Sequence, residues 1–280
     1  MLTPEIVLLG GPNSGKTHYA GQLYGRLQRN PGALSLRGAP ADLSAFQEVL
    51  RCIENGNAAS HTPHSTWTEV CLPLQDKTGR AMDLNWPDYG GEQLTQVQAT
   101  RSVDFQWHER LSKANGWLLL IRLKAEVIFP VALEKLTEHP HCGEQSVNRV
   151  STWDANAYWV ENLQILLHVA GLGTVKPLKR PRLAVLLSCY DELGESITQP
   201  AEELACKLPL VASFIRNNWH KDEVSIWGLS SLGQELTGNS GVDVFIDEGP
   251  EHQGWIVMPK GDERNQDLSL PLKWLLDGIT

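Results

Sequence analysis

Apolar positions along the chain follow two alternating rhythms. Short unbroken runs stand at 5–9 (EIVLL), 116–123 (GWLLLIRL), 182–193 (RLAVLLSCYDEL) and 223–233 (EVSIWGLSSLG). Runs of this length, bounded by glycine or polar residues, read as strands buried within a sheet. Between them the apolar residues recur every three or four positions, the spacing of a helix face. Tyr19, Leu23 and Leu27 form one such stripe, and Leu43, Phe46, Val49, Leu50 and Ile53 form a second over 41–54. The stretch 154–173 predicts a helix capped by Asp154 and ended by Gly171 or Gly173. Residues 200–219 predict a helix that Pro209 breaks. A long helical region is expected over about 92–114 and a terminal helix over 268–279.

Two runs of strand character, 67–74 (WTEVCLPL) and 80–86 (RAMDLNW), flank the polar turn QDKTG and predict a hairpin. Short strands are expected at 242–247 and 254–258. Residues 54–65 read as loop, and 124–152 lack a period and read as an insertion. Strands alternate with helices from end to end. The expected class is therefore α/β, a doubly wound, mostly parallel sheet with one antiparallel edge strand. The expectation is one domain over 1–280, with the insertion at about 124–152.

Composition narrows the function classes. The chain is 41% apolar and 20% charged, with a net charge of −9. A negative balance argues against broad binding to nucleic acid or an anionic membrane, both of which need a positive field. The densest basic cluster, KPLKRPR (176–182), reads as a solvated loop before a strand. No apolar run approaches the ~20 residues of a membrane span, and the N-terminus lacks a leader pattern, so a cytoplasmic protein is expected. Five cysteines without a CxxC pair argue against a disulfide framework or zinc ribbon. The crowded HPHC (139–142) has no second ligand pair at metal-site spacing. Ten tryptophans are expected to fill the core or an interaction face.

The candidate chemistry begins right after the first strand. Gly10-Gly11-Pro12-Asn13-Ser14-Gly15-Lys16-Thr17 matches GxxxxGK[ST] throughout. Small residues let successive backbone amides face phosphate oxygens, and the following helix presents its positive end to the same anion. Gly11, Pro12, Asn13, Ser14, Gly15, Lys16 and Thr17 are therefore candidate nucleotide ligands. Lys16 would bridge the outer phosphates and Thr17 would hold Mg²⁺.

Downstream, LNWPDYGGEQ (84–93) places Asp88 at the end of the second hairpin strand and Gly91 three residues later, a DxxG pattern. With the phosphate loop and hairpin before it, the chain resembles the Ras-like and translation-factor-like GTPases. That resemblance implies that Asp88 holds Mg²⁺ through water and that the Gly91 amide senses the γ-phosphate. It also implies a metal-closing threonine before the hairpin, here Thr66, with Thr62 and Thr68 as competitors. In SCYD (188–191), Asp191 would read the guanine edge; Ser188 and Cys189 replace the motif's usual Asn or Thr and its Lys. In GLSSLG (228–233), Ser230 would belong to the loop that backs the base. Glu92 stands where a water-orienting glutamine is usual and Gln93 is next, so Lys16, Glu92 and Gln93 are the catalytic candidates; Glu92 reads equally as a first-turn carboxylate of the helix. Arg101 and Arg110 on the following helix read as surface ion pairs. The implied activity is slow GTP hydrolysis, accelerated by a partner protein. Order and spacing look most like bacterial GTPases of the double-GTPase-like group, found in multi-component conflict operons. Two alternatives stay open: an ATPase using Asp191 and Glu192 as a Walker B pair, and a scaffold that binds nucleotide without turnover.

Overall fold

The first apolar run becomes the central strand of the sheet. The computed structural model describes residues 3–29, 31–40, 44–59, 68–88, 92–126, 128, 154–173, 175–194, 198–236, 241 and 243–279. Among these the strands are β1 (Glu5–Gly10), β2 (Leu34–Leu36), β3 (Thr68–Asp76), β4 (Ala81–Asp88), β5 (Gly116–Ile121), β6 (Arg182–Ser188), β7 (Val224–Ser230), β8 (Trp255–Val257) and β9 (Arg264–Asn265). The α-helices are α1 (Lys16–Arg29), α2 (Ser44–Glu54), α3 (Glu92–Thr100), α4 (Phe105–Lys113), α5 (Ala155–Val169), α6 (Pro200–Lys207), α7 (Pro209–Asn218), α8 (Asp243–Glu248) and α9 (Leu270–Asp277). All strands join one sheet in the order β2-β3-β4-β1-β5-β6-β7-β8-β9.

The five strands from β4 to β7 in that order are mutually parallel. Alternate residues of each strand face opposite sides. Val7, Leu9, Trp117, Leu119, Leu183 and Val185 pack with α3 to α7 on one face. Ile6, Leu8, Leu118, Leu120, Ala184 and Leu186 pack with α1 and α9 on the other. The expected doubly wound α/β sheet is therefore present. α2 lies against the outer side of α1, so closely that a Cβ at Gly21 would stand 2.5 Å from Val49 Cγ1. Of the ten tryptophans, Trp107, Trp117, Trp159, Trp219, Trp227 and Trp255 are core residues.

Several elements depart from their sequence reading. One antiparallel strand was expected; two are found, β3 from the hairpin and β8 beside β7. A parallel return needs a crossover that covers the sheet. The chain after β7 instead runs out to α8, whose Phe245 packs on Val49 and Ile53 of α2. That tertiary contact also makes Asp243–Glu248 a helix, where 242–247 reads as a strand. The helical region expected over 92–114 is present as two helices. α3 ends before Arg101, which has a left-handed φ of 56°, and Asp104 starts α4 by accepting a hydrogen bond from the Trp107 amide at 2.8 Å. The three-residue β2 carries no periodic signal and was not anticipated.

Local signals elsewhere act as their chemistry dictates. Asp154 Oδ1 caps α5 through the amides of Asn156 and Ala157, and Gly171 ends it at φ 71°. Leu208 separates α6 from α7 before Pro209. In the QDKTG turn, Asp76 Oδ1 accepts from Thr78 N, Thr78 Oγ1 and Arg80 N at 2.6–3.0 Å. Burial alone would raise the Asp76 carboxyl, but these bonds and the Arg80 guanidinium hold it well below the usual carboxylate range.

The basic cluster is only partly the solvated loop it resembles. Lys176 and Lys179 are exposed, but Arg182 is 6% exposed, pairs with Glu223 at 2.7 Å and lies 3.8 Å over the Trp274 ring. It also bonds the Trp274 carbonyl, tying α9 to the sheet. The four described cysteines are free thiols. Among the described residues no group of side chains is placed to hold a metal by itself, and no helix is long and apolar enough to cross a membrane. The HPHC segment and nearly all of the expected insertion lie outside the described residues.

Candidate nucleotide-binding site

Because the central strands are parallel, their carboxyl ends meet at one edge. Gly10 lies opposite Leu120, Ile121 opposite Leu187, and Ser188 opposite Leu229. An α/β sheet places ligands in the crevice outside such an edge. The segments that follow β1, β4, β6 and β7 carry the sequence candidates.

The loop from Gly10 to Lys16 needs its small residues. A Cβ at Gly10 would stand 2.7 Å from Ser14 Oγ and 3.0 Å from the Leu120 carbonyl. Asn13 and Gly15 are left-handed, at φ 54° and 76°. Such alternation turns amides to one side and builds an anion-binding hollow. Ser14 Oγ donates to Gly11 O at 2.8 Å. Lys16 Nζ curls back over the loop, donating to Gly10 O at 2.9 Å and Gly11 O at 2.8 Å. The side chain is only 8% exposed, so its ammonium is held at the hollow. α1 starts at Lys16 with no acidic residue in its first turn, which leaves its positive end unneutralised. Thr17 is the second residue of this helix, beside Lys16; Pro12 and Asn13 form the exposed crest.

Trp159 supports the loop from behind. Its ring lies 3.4 Å from where a Gly11 Cβ would be, and its Nε1 donates to Glu126 Oε1 at 2.7 Å. Burial raises the Glu126 carboxyl, against the opposing effect of that bond.

On the other side the SCYD turn abuts the same loop. A Cβ at Gly15 would lie 4.0 Å from both Ser188 Cβ and Cys189 Sγ. Ser188 is 3% exposed, and its Oγ has no hydrogen-bond partner among the described residues. Cys189 adopts a left-handed φ of 52°. Burial pushes its thiol up to about 12, so it brings no charge to the turn. Asp191 sits half-buried in the short 3-10 turn Tyr190–Leu193 and accepts no hydrogen bond among the described residues. Its neighbour Glu192 is held by a two-pronged bond from Arg122, at the end of β5. The Tyr190 hydroxyl donates to Thr198 O at 2.9 Å. Ser230 ends β7, where its Oγ accepts from Gly233 N at 2.9 Å and shapes the following turn.

The structure thus sets the loop at 11–17 beside Ser188 at one edge of the sheet, with Asp191 in the turn that follows β6 and the Ser230 turn one strand further along. Asp88 is the last residue of β4, paired in register with Thr68, and Glu92 and Gln93 open α3. The side chains of Asp88, Glu92 and Gln93, and the whole of Thr62, Thr66 and Gly91, lie outside the described residues. Arg101 pairs with Glu161, and Arg110 with Glu5 at 3.3 Å, as the sequence reading has them. Sequence reasoning missed Trp159 and Arg122. Trp159 carries no local signal; Arg122 carries one, as the first charge after an apolar strand.

A phosphate loop between the central strand and its helix, at the carboxyl edge of a doubly wound sheet, defines a P-loop nucleotide-binding protein of the G-domain type. The chain belongs to the Double-GTPase 1 family, whose family model matches residues 7–275. It is accordingly a P-loop GTPase of double-GTPase type that binds guanine nucleotide. No curated protein matches it. Among solved structures it is similar to the Arl6 BBS3 small GTPase from Trypanosoma brucei, with 12% identity over 90% of this chain and 99% of that one at a TM-score of 0.39. It is similar also to a bacterial selenocysteine-specific elongation factor, EF-Sec, with 12% identity over 100% of this chain and 30% of that one at 0.43. A third is from the signal recognition particle receptor SRb-GTP/SRX complex of Chaetomium thermophilum, with 14% identity over 85% and 94% at 0.41.

Proposed function

We propose that the chain is a Mg²⁺-dependent guanine nucleotide switch that hydrolyses GTP slowly and acts through a partner protein. The observation that carries this reading is the contact of one glycine with two motifs. A Cβ at Gly15, inside the phosphate loop, would stand 4.0 Å from Ser188 Cβ and Cys189 Sγ, the two residues that lead into the turn bearing Asp191, so one ligand can span both. The loop amides and Lys16 would take the phosphates. Ser188 Oγ, buried without a partner among the described residues, is a hydrogen-bonding group that a bound ligand or the ordered loop would satisfy. Asp191 would accept the paired N–H groups of guanine. The hydroxyl of Thr17 and the carboxylate of Asp88 are hard oxygen donors that suit Mg²⁺, with Thr66 and Gly91 closing over the γ-phosphate. The bound ion would neutralise charge between the β- and γ-phosphates. Glu92 and Gln93 would orient the attacking water.

The positions of three described arginines support slow turnover. Arg101, Arg110 and Arg122 are each held by a carboxylate, so the cation that stabilises phosphoryl transfer is expected from a partner. The ATPase alternative loses its base: Glu192 is 8% exposed and fastened to Arg122.

Titration calorimetry with Mg²⁺ and each purine triphosphate tests the reading. Asp191→Asn should weaken GTP on the order of 10²-fold, because charge-assisted hydrogen bonds are worth roughly 1.5–3 kcal/mol each. The same variant should gain affinity for xanthosine triphosphate, whose edge matches the amide. A wild-type preference for ATP would overturn the assignment. In single-turnover phosphate release, Glu92→Ala should slow hydrolysis by roughly 10²-fold while GTP still binds; an unchanged rate removes Glu92 from the water-orienting role.

A further inference from the structure

The turn that carries Asp191 is fastened by a residue that belongs to none of the GTPase-like motifs. Arg122 follows β5 directly, and β5 is the neighbour of β6. Its Nε donates to Glu192 Oε2 at 3.1 Å, and its second terminal nitrogen donates to Glu192 Oε1. This is the parallel fork by which a guanidinium fixes a carboxylate in plane. Glu192 has 8% of its side chain exposed and Arg122 has 31%, so the pair sits where screening is weak. Glu192 adjoins Asp191 in the same one-turn segment, and its amide closes that turn onto Cys189 O at 3.0 Å. The turn needs an outside restraint because it enters through Cys189, a non-glycine residue in the left-handed region. Asp191 itself receives no hydrogen bond among the described residues that would hold its direction.

We infer that Arg122 is a positioning residue for guanine selectivity: by clamping Glu192 it fixes the turn at the height and angle at which Asp191 meets the base. It also neutralises Glu192, one of three carboxylates, with Asp191 and Glu235, that act on Cys189. The inference rests on the proposed guanine reading of Asp191. It assigns Arg122 no contact with the nucleotide.

The test compares GDP with ADP, titrated into the full chain with Mg²⁺. Both offer the loop the same ribose and phosphates, and they differ at the edge that Asp191 reads. Arg122→Ala should weaken GDP by at least about tenfold, the loss of one well-placed charged contact. ADP affinity should stay within about twofold. Arg122→Lys keeps a charge beside Glu192 without the fork and should give an intermediate loss. It carries the test if Arg122→Ala, which strands a buried carboxylate, does not fold. A parallel fall in GDP and ADP affinity would overturn the assignment, as would unchanged GDP affinity in Arg122→Lys and Arg122→Ala. Asp191→Asn separates the two readings. If it abolishes the preference for GDP while the Arg122 variants keep it, the positioning role alone is wrong. If wild-type protein has no preference for GDP over ADP, the guanine reading falls and the role of Arg122 falls with it.

Discussion

Lys16→Ala is expected to lose triphosphate binding and to cut any GTP turnover on the order of 10²–10³-fold, the size seen when one preorganised donor to a transferring group is removed. Two effects combine in this side chain. Its ammonium is the charge placed at the hollow of the phosphate loop, and it also bonds the carbonyls of Gly10 and Gly11. Without it, the Gly10 carbonyl loses this donor and the Gly11 carbonyl keeps only that of Ser14 Oγ, and the loop loses its cross-brace as well as its charge. Arg would not replace it, because a planar fork does not reproduce a compact ammonium that bonds two carbonyls of the same turn. Titration calorimetry with GTP, and phosphate release under single-turnover conditions, read the two losses separately. The thermal midpoint serves as the control for folding. Unchanged GTP affinity in this variant would remove the phosphate-loop assignment.

The largest expected effect on stability lies far from the crevice, at Arg182. Its guanidinium joins β6 to the segment before β7 through Glu223, and to α9 through the Trp274 ring and the carbonyls of Trp274 and Leu275. Burial lowers its affinity for the proton and Glu223 opposes that. Arg182→Ala leaves Glu223 with only the longer 3.4 Å contact to Arg180 and removes a donor from the α9 carbonyls. Breaking a buried pair from one side costs about 3–5 kcal/mol. For a chain of this size that is a fall in thermal midpoint of roughly 6 °C or more, read by calorimetry or circular dichroism. Gly278→Ala offers an independent check, since a Cβ there would fall within 2.0 Å of the Arg182 guanidinium carbon. A midpoint in Arg182→Ala within 2 °C of wild type, taking about 1 kcal/mol as the resolvable loss, would show that α9 docks through its apolar face alone.

The phosphate loop was legible in the sequence. The loop could be read residue by residue because its chemistry is local: a glycine where a Cβ would strike Ser14, a left-handed Gly15, and a lysine that starts the helix. Asp154 could be read as a cap because it stands just before an apolar helical period. Failures arose wherever a local pattern met a distant partner. Phe245 reads as part of a strand until α2 gives it a socket. The helical region over 92–114 is divided where Arg101 turns left-handed and Asp104 caps α4. Arg182 reads as solvated until α9 closes over it. The resemblance to GTPases covered the motifs but had nothing to say about Trp159 behind Gly11 or Arg122 beside the SCYD turn.

The sequence by itself determined the parallel strands of the central sheet, and that a phosphate-binding loop joins the first strand to the first helix. Those properties depend on backbone sterics and on apolar spacing within about ten residues. Only the tertiary structure decided the direction of β8, the support of the loop by Trp159 and the clamp of Arg122 on Glu192. The last of these joins residues 70 positions apart. Such pairs form because sheet order brings β5 beside β6, and that order is set by how the whole chain buries both faces of the sheet.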